Sequence, residues 1–221
     1  MTVKVKVCGM TRASDAVLAS ELGASAVGFV FWDKSPRFIQ PAQAAHIATL
    51  LSPDVDRVGV FVDASPAWIE EVSARVGLTA VQLHGDETTE FCLALPCRVI
   101  KAVSLRGPLD VEAAIRLPET VTPLVDVHDP ERKGGTGRTV DWSLAASVAQ
   151  RRRMFLAGGL SPANVVEAVR LVRPYALDVS SGLEATPGIK SPELLQGFFD
   201  ALVKTDQTLS EYGRWAVKTQ E

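Results

Sequence analysis

Short β-branched runs, most of them apolar on both faces, recur eight times along the chain: Val3–Cys8, Ala26–Phe31, Arg57–Val62, Thr79–Leu83, Val99–Val103, Pro123–Val127, Met154–Ala157 and Tyr175–Val179. Strands of this kind suit a parallel sheet buried between an inner core and a coat of helices. The stretches between them have helical spacing. After Ser65-Pro66, the apolar residues Ile69, Val72 and Val76 return on one face, and Gly77 supplies a stop. Serine accepts a free amide at a helix start, proline fits the first helical position, and glycine takes the left-handed turn that ends a helix. Ser161-Pro162 and Ser191-Pro192 repeat that start, and Ala44, Ile47, Ala48 and Leu51 follow Pro41 at the same spacing. Strand and helix repeated eight times predict an α/β fold: a single-domain eight-stranded parallel β/α (TIM) barrel over residues 1–203. A doubly wound open sheet would use the same alternation. Residues 204–221 are polar and lie past the last helical segment, so they are expected to form a tail.

Composition narrows the class. At 221 residues the chain suits one barrel better than two domains. Its formal net charge is −3 with both signs mixed throughout, so it has no basic stripe for a nucleic-acid backbone. The one basic run, Arg151 to Arg153, reads as a solvated helix end. No apolar stretch approaches the ~20 residues that span a bilayer, and the opening apolar run is too short for a signal peptide. Neither a nucleic acid nor a membrane is expected as a partner. Cys8, Cys92 and Cys97 are spaced for neither a CxxC pair nor a zinc site, which fits a reduced, cytoplasmic setting and no bound metal. Cys92 and Cys97 are read as structural, and His46, in mid-helix, as a surface residue.

In such a barrel, chemistry gathers where the strands end. Those ends present Cys8-Gly9, Ser35-Pro36-Arg37, Gln82 with His84-Gly85, Asp126, Gly158-Gly159, and Asp178 through Gly182. The last two ends place bare backbone beside hydroxyls, which predicts a phosphate site at Gly158, Gly159, Ser180 and Ser181. Alternation along the first strand puts Lys6 on the face of Cys8; turned inward, its charge would lower the cysteine's pKa. The other reading of Cys8 is a buried inert thiol. Asp126 could stay protonated among apolar neighbours and act as an acid, or simply serve its loop. His128 and the glycines of residues 134–137 suggest a lid.

Taken together, these ends resemble the phosphoribosylanthranilate isomerase family of tryptophan biosynthesis, from Lys6 to about Leu202. The matching pieces are Lys6 to Arg12, Gly28 to Phe31, Ser35-Pro36-Arg37, Val81 to Gly85, Asp126 with the glycine loop and Asp141-Trp142, Leu156 to Leu160, and Asp178 to Gly182 with Glu184 and Gly188. The resemblance implies an aldose–ketose isomerase that carries an Amadori rearrangement of N-(5′-phosphoribosyl)anthranilate. It implies Asp126 as general acid, Cys8 as general base, and no metal, flavin or nicotinamide. The phosphate would lie on Gly158, Gly159, Ser180 and Ser181 with Asp178 orienting groups nearby. Arg37 would meet the anthranilate carboxylate, and Gln82 and His84 would line the sugar. A monomer is expected rather than a homodimer. The chain departs from the family's pattern at Lys190-Ser191, a change expected to touch a helix start and not the site, and in its longer tail.

Rival readings are weaker. A ribulose-phosphate epimerase would want more metal-binding histidines than the three present. An indoleglycerol-phosphate synthase would want a catalytic lysine–glutamate network, and an inactive scaffold barrel need keep neither Cys8 nor Asp126.

Overall fold

The computed structural model describes residues 3–126 and 142–203. Eight strands run β1 (Lys4–Cys8), β2 (Ala26–Val30), β3 (Asp56–Phe61), β4 (Ala80–Leu83), β5 (Val99–Ser104), β6 (Val121–Asp126), β7 (Phe155–Ala157) and β8 (Ala176–Val179). They pair in chain order, and β1 closes on β8 in parallel, so the sheet is a complete barrel and not an open sheet. Each strand overlaps the apolar run that predicts it. His128, Asp141, the glycines of residues 134–137 and the polar stretch from Lys204 lie outside the described residues.

Alternation sorts the side chains. Ala26, Val58, Ala80, Ile100, Leu124 and Ala157 fill the barrel, and Cys8, Val30 and Val60 form a smaller layer nearer the strand ends. The other parity, Val5, Val7, Val27, Phe29, Val81 and Leu83 among them, packs outward against the helices. Burying each such side chain contributes about 1.5–3 kcal/mol, which sets the register firmly.

The helices start and stop for local reasons. In the helix Pro66–Val76 the Ser65 hydroxyl accepts the Trp68 N–H at 3.3 Å, Ile69, Val72 and Val76 are buried, and Gly77 turns left-handed at φ 69°. The Ser191 hydroxyl likewise accepts the Leu194 N–H at 3.2 Å as helix 192–203 begins. Ser161-Pro162 breaks this pattern. The seventh helix starts only at Val165, and the Asn164 side chain accepts the Ser161 N–H at 2.8 Å while donating to the Gly159 carbonyl at 2.9 Å. The serine–proline pair therefore shapes a loop at the strand ends.

Two further expectations change. Arg152 is a clamp and not a solvated helix end, because its guanidinium donates to the carbonyls of Ile115, Leu117, Pro118 and Val121. Cys92 is buried in the core as expected, but Cys97 is exposed. No helix among the described residues is long and apolar enough to cross a membrane.

Candidate active site

The inner face of β1 carries Lys6 and Cys8, both buried. Lys6 does not spend its charge on the cysteine alone. Its Nζ lies 2.7 Å from Asp178 Oδ1 on β8, where the register sets the two residues side by side. Gly28 makes room for the group: a Cβ there would stand 2.8 Å from Cys8 Sγ and 3.0 Å from Lys6 Nζ. The bare strand position is thus part of the site.

The electrostatics of Cys8 run against the sequence expectation. Burial pushes the thiol above its ordinary value, and Lys6 and Lys190 pull it down by less, while Asp178 adds to the rise. Lys6 itself is held above the usual lysine range: burial opposes its charge, but Asp178 and Cys8 outweigh burial. A lysine already neutralised by a carboxylate is a weak activator of its other neighbour.

Opposite β1, the end of β4 brings Gln82 Nε2 to 2.9 Å from His84 Nδ1. His84 is exposed at the mouth, yet desolvation by the surrounding protein lowers its pKa despite the nearby charges of Asp178 and Asp126. A neutral imidazole is the form at neutral pH. Asp126 ends β6, half-buried, in register with Ser104 on β5 and Ala157 on β7. Cys8, His84, Asp126 and Asp178 therefore occupy one end of one barrel.

The adjoining loops make a second wall. Gly158 and Gly159 both have positive φ, 98° and 62°, which makes their turn a candidate anion nest. A Cβ on Gly182 would strike the Leu160 carbonyl, so glycine there lets the loop after β8 close onto the loop after β7. Ser181 is exposed beside the nest. The Ser180 hydroxyl, by contrast, donates to the Cys8 carbonyl at 3.1 Å, which leaves the Ser180 backbone as its natural contribution to an anion.

Arg37 is not a free guanidinium. Its Nε donates to Glu184 Oε1 at 2.8 Å and its Nη2 to Glu184 Oε2 at 2.6 Å. Glu184 also receives the buried Lys190 ammonium at 2.9 Å, and that ammonium donates to the Ser180 carbonyl at 3.2 Å. Lys190 thus belongs to the site's wall, while Ser191, where the chain departs from the family's pattern, caps the helix start as expected. The sequence assigns Glu184 no role; its place at the start of a short hairpin, β9 (Glu184–Thr186) and β10 (Ile189–Lys190), far along the chain from Arg37, hides their closeness. Among the described residues no three His, Cys, Asp or Glu side chains gather as a metal site.

A closed parallel β/α barrel with titratable side chains gathered at its strand ends defines a barrel enzyme. The family profile described as N-(5′-phosphoribosyl)anthranilate isomerase matches residues 5–201. The chain is 45% identical over 196 residues to the N-(5′-phosphoribosyl)anthranilate isomerase of Geobacter sulfurreducens, covering 89% of this chain and 96% of that one. The crystal structure of the Thermotoga maritima phosphoribosyl anthranilate isomerase superposes with TM-score 0.85 at 45% identity, over 91% of this chain and 99% of that one. A second structure, a phosphoribosyl anthranilate isomerase in complex with reduced 1-(o-carboxyphenylamino)-1-deoxyribulose 5-phosphate, gives TM-score 0.82 at 42% identity, over 91% of this chain and 99% of that one. The chain belongs to the N-(5′-phosphoribosyl)anthranilate isomerase family, and as a member it is an isomerase.

Proposed function

We propose that this barrel converts N-(5′-phosphoribosyl)anthranilate into 1-(2-carboxyphenylamino)-1-deoxyribulose 5-phosphate in tryptophan biosynthesis, by an acid–base Amadori rearrangement. The observation that carries the reading is the convergence of Cys8 and Asp126 on one strand-end rim beside a glycine anion nest.

The substrate phosphate sits on the amides of Gly158, Gly159, Ser180 and Ser181, which holds the sugar in the mouth between Gln82, His84 and the rim. Asp126 gives its proton to the furanose ring oxygen. The anthranilate nitrogen supplies its lone pair as the C1–O bond breaks, and an iminium results. As the iminium forms, the Cys8 thiol gives up its proton to solvent and the resulting thiolate takes the proton from C2; the freed electron pair becomes the C1=C2 bond and the iminium nitrogen is neutralised. The enolamine gains a proton at C1 and loses one from its hydroxyl, leaving the ketone.

The raised Cys8 pKa is compatible with this role. A thiolate formed there is a strong base, and an iminium beside it supplies the positive charge that burial withholds from the resting site. Asp178 serves at one remove, by fixing the Lys6 ammonium beside the sulfur. Arg37 meets the anthranilate carboxylate with the guanidinium edge that Glu184 leaves open. The working unit is taken as a monomer, and a reduced cytoplasm suits a working thiol.

The direct test is turnover. Phosphoribosylanthranilate is generated in the cuvette from anthranilate and phosphoribosyl pyrophosphate by the transferase that makes it. Its fluorescence should fall on adding the protein; no change would refute the reading.

A further inference from the structure

Arg37, Glu184 and Lys190 form a chain of charges whose outer link faces the site and whose inner link is buried. The guanidinium has two edges able to hold a carboxylate with two parallel hydrogen bonds. Glu184 takes one of them, the Nε–Nη2 edge, at 2.8 and 2.6 Å. Its side chain is only 4% exposed, so the pair is anchored below the surface. Lys190, fully buried, holds Glu184 from behind at 2.9 Å and reaches the Ser180 carbonyl at 3.2 Å. The Gly188 N–H adds a bond to Glu184 Oε1 at 3.2 Å. Lys190 is itself tied down, since its N–H donates to Asp15 and its carbonyl accepts from Arg12. The arginine stem is aimed by Gly9, where a Cβ would come within 2.6 Å of Arg37 Cδ.

We propose that Glu184 and Lys190 are positioning residues that lock Arg37 edge-on and present its remaining fork to the substrate carboxylate, with Lys190 fixing this subsite relative to the phosphate loop through Ser180. Glu184 satisfies half of the guanidinium before substrate binds, so the substrate carboxylate meets a fork already oriented and need not order a free side chain. Lys190 bridges the walls of the two anion subsites and sets the span between carboxylate and phosphate, which favours a two-headed anion of that length. This rests on the reading of Arg37 as the carboxylate partner.

Glu184→Gln keeps the shape and removes the charge that orients the guanidinium. Its KM should rise by about tenfold or more while kcat stays within about twofold, because Arg37 holds the carboxylate equally in the ground and transition states. Calorimetry with the reduced product analogue should show the same weakening, and inorganic phosphate should bind as before. Lys190→Met should weaken the analogue and inorganic phosphate together, since it also releases the Ser180 carbonyl. Arg37→Ala should lose as much analogue affinity as the Arg37→Ala, Glu184→Gln double variant. If Arg37→Ala weakens the analogue and neither Glu184→Gln nor Lys190→Met does, the positioning role is overturned while the carboxylate subsite stands. If the effects of Arg37→Ala and Glu184→Gln add, the two act independently and the proposal also fails. If Arg37→Ala has no effect, the carboxylate subsite itself is wrong and the proposal falls with it.

Discussion

Lys6 lies two residues before Cys8 on the inner face of β1, with its ammonium 2.7 Å from the Asp178 carboxylate. Both partners are withdrawn from water, so each needs the other: breaking such a pair by removing one member costs about 3–5 kcal/mol. The lysine is therefore chiefly the partner of Asp178 and only secondarily an activator of the thiol. A reactive sulfur beside an ion pair of zero net charge keeps its proton until substrate arrives.

That arrangement fixes the pH behaviour of Cys8. Alkylation needs the thiolate, and burial has raised the thiol above its ordinary value of 9.0, so the iodoacetamide rate should climb with a midpoint above that value. Exposed Cys97 is replaced by serine for the measurement, and bound product should protect Cys8. Lys6→Met removes the cation and leaves Asp178 unpaired, so the midpoint should move higher still. A midpoint near neutrality would contradict this picture of the thiol.

Ser181→Asp places a carboxylate at the edge of the glycine nest, where Ser181 is exposed. Unit charges about 4 Å apart repel by about 1–4 kcal/mol between the bulk-water and protein-surface limits, so affinity for the reduced product analogue should fall by about fivefold or more. Unchanged affinity in calorimetry would move the phosphate elsewhere.

The Glu184 carboxylate has a depressed pKa: burial opposes its charge, but hydrogen bonds from Arg37 and Lys190 more than compensate. A depressed carboxylate contributes stability above its unfolded value, near 4.5, and loses it as pH falls through the lower folded value. Urea unfolding should show the wild type exceeding Glu184→Gln at about pH 6, with the gap closing as pH falls below about 4.5. A gap independent of pH would show that the carboxylate's charge is not what stabilises the hairpin.

The barrel was legible because most of its strands are apolar on both faces and because helices start at Pro41, Pro66, Pro108 and Pro192, with Gly77 ending one of them. Ser65-Pro66 worked because the serine's own amide-accepting geometry makes the cap. Ser161-Pro162 misled because Asn164, three residues on, takes the local hydrogen bonds first. Positions at strand ends were also legible, since period two and a change of polarity locate Cys8 and Asp126 without coordinates. What escaped was pairing across sequence. Lys6 with Asp178 spans 172 residues and Arg37 with Glu184 spans 147, and periodicity carries no information about which charges meet at such separations. The direction of the Cys8 shift escaped because it is set first by how deeply the fold buries the thiol, with Asp178 adding to the rise against the pull of Lys6.

The proposed division of proton transfer between Cys8 and Asp126 is tested most directly by steady-state turnover of two variants. Cys8→Ala removes the base, and Asp126→Asn keeps the shape but cannot donate an acidic proton. With folding confirmed by circular dichroism, kcat measured from the decay of phosphoribosylanthranilate fluorescence should fall by about 10²–10⁴ in each, the usual cost of losing one proton-transfer group. Either variant turning over within about tenfold of wild type would take that residue out of the mechanism and contradict the division of labour.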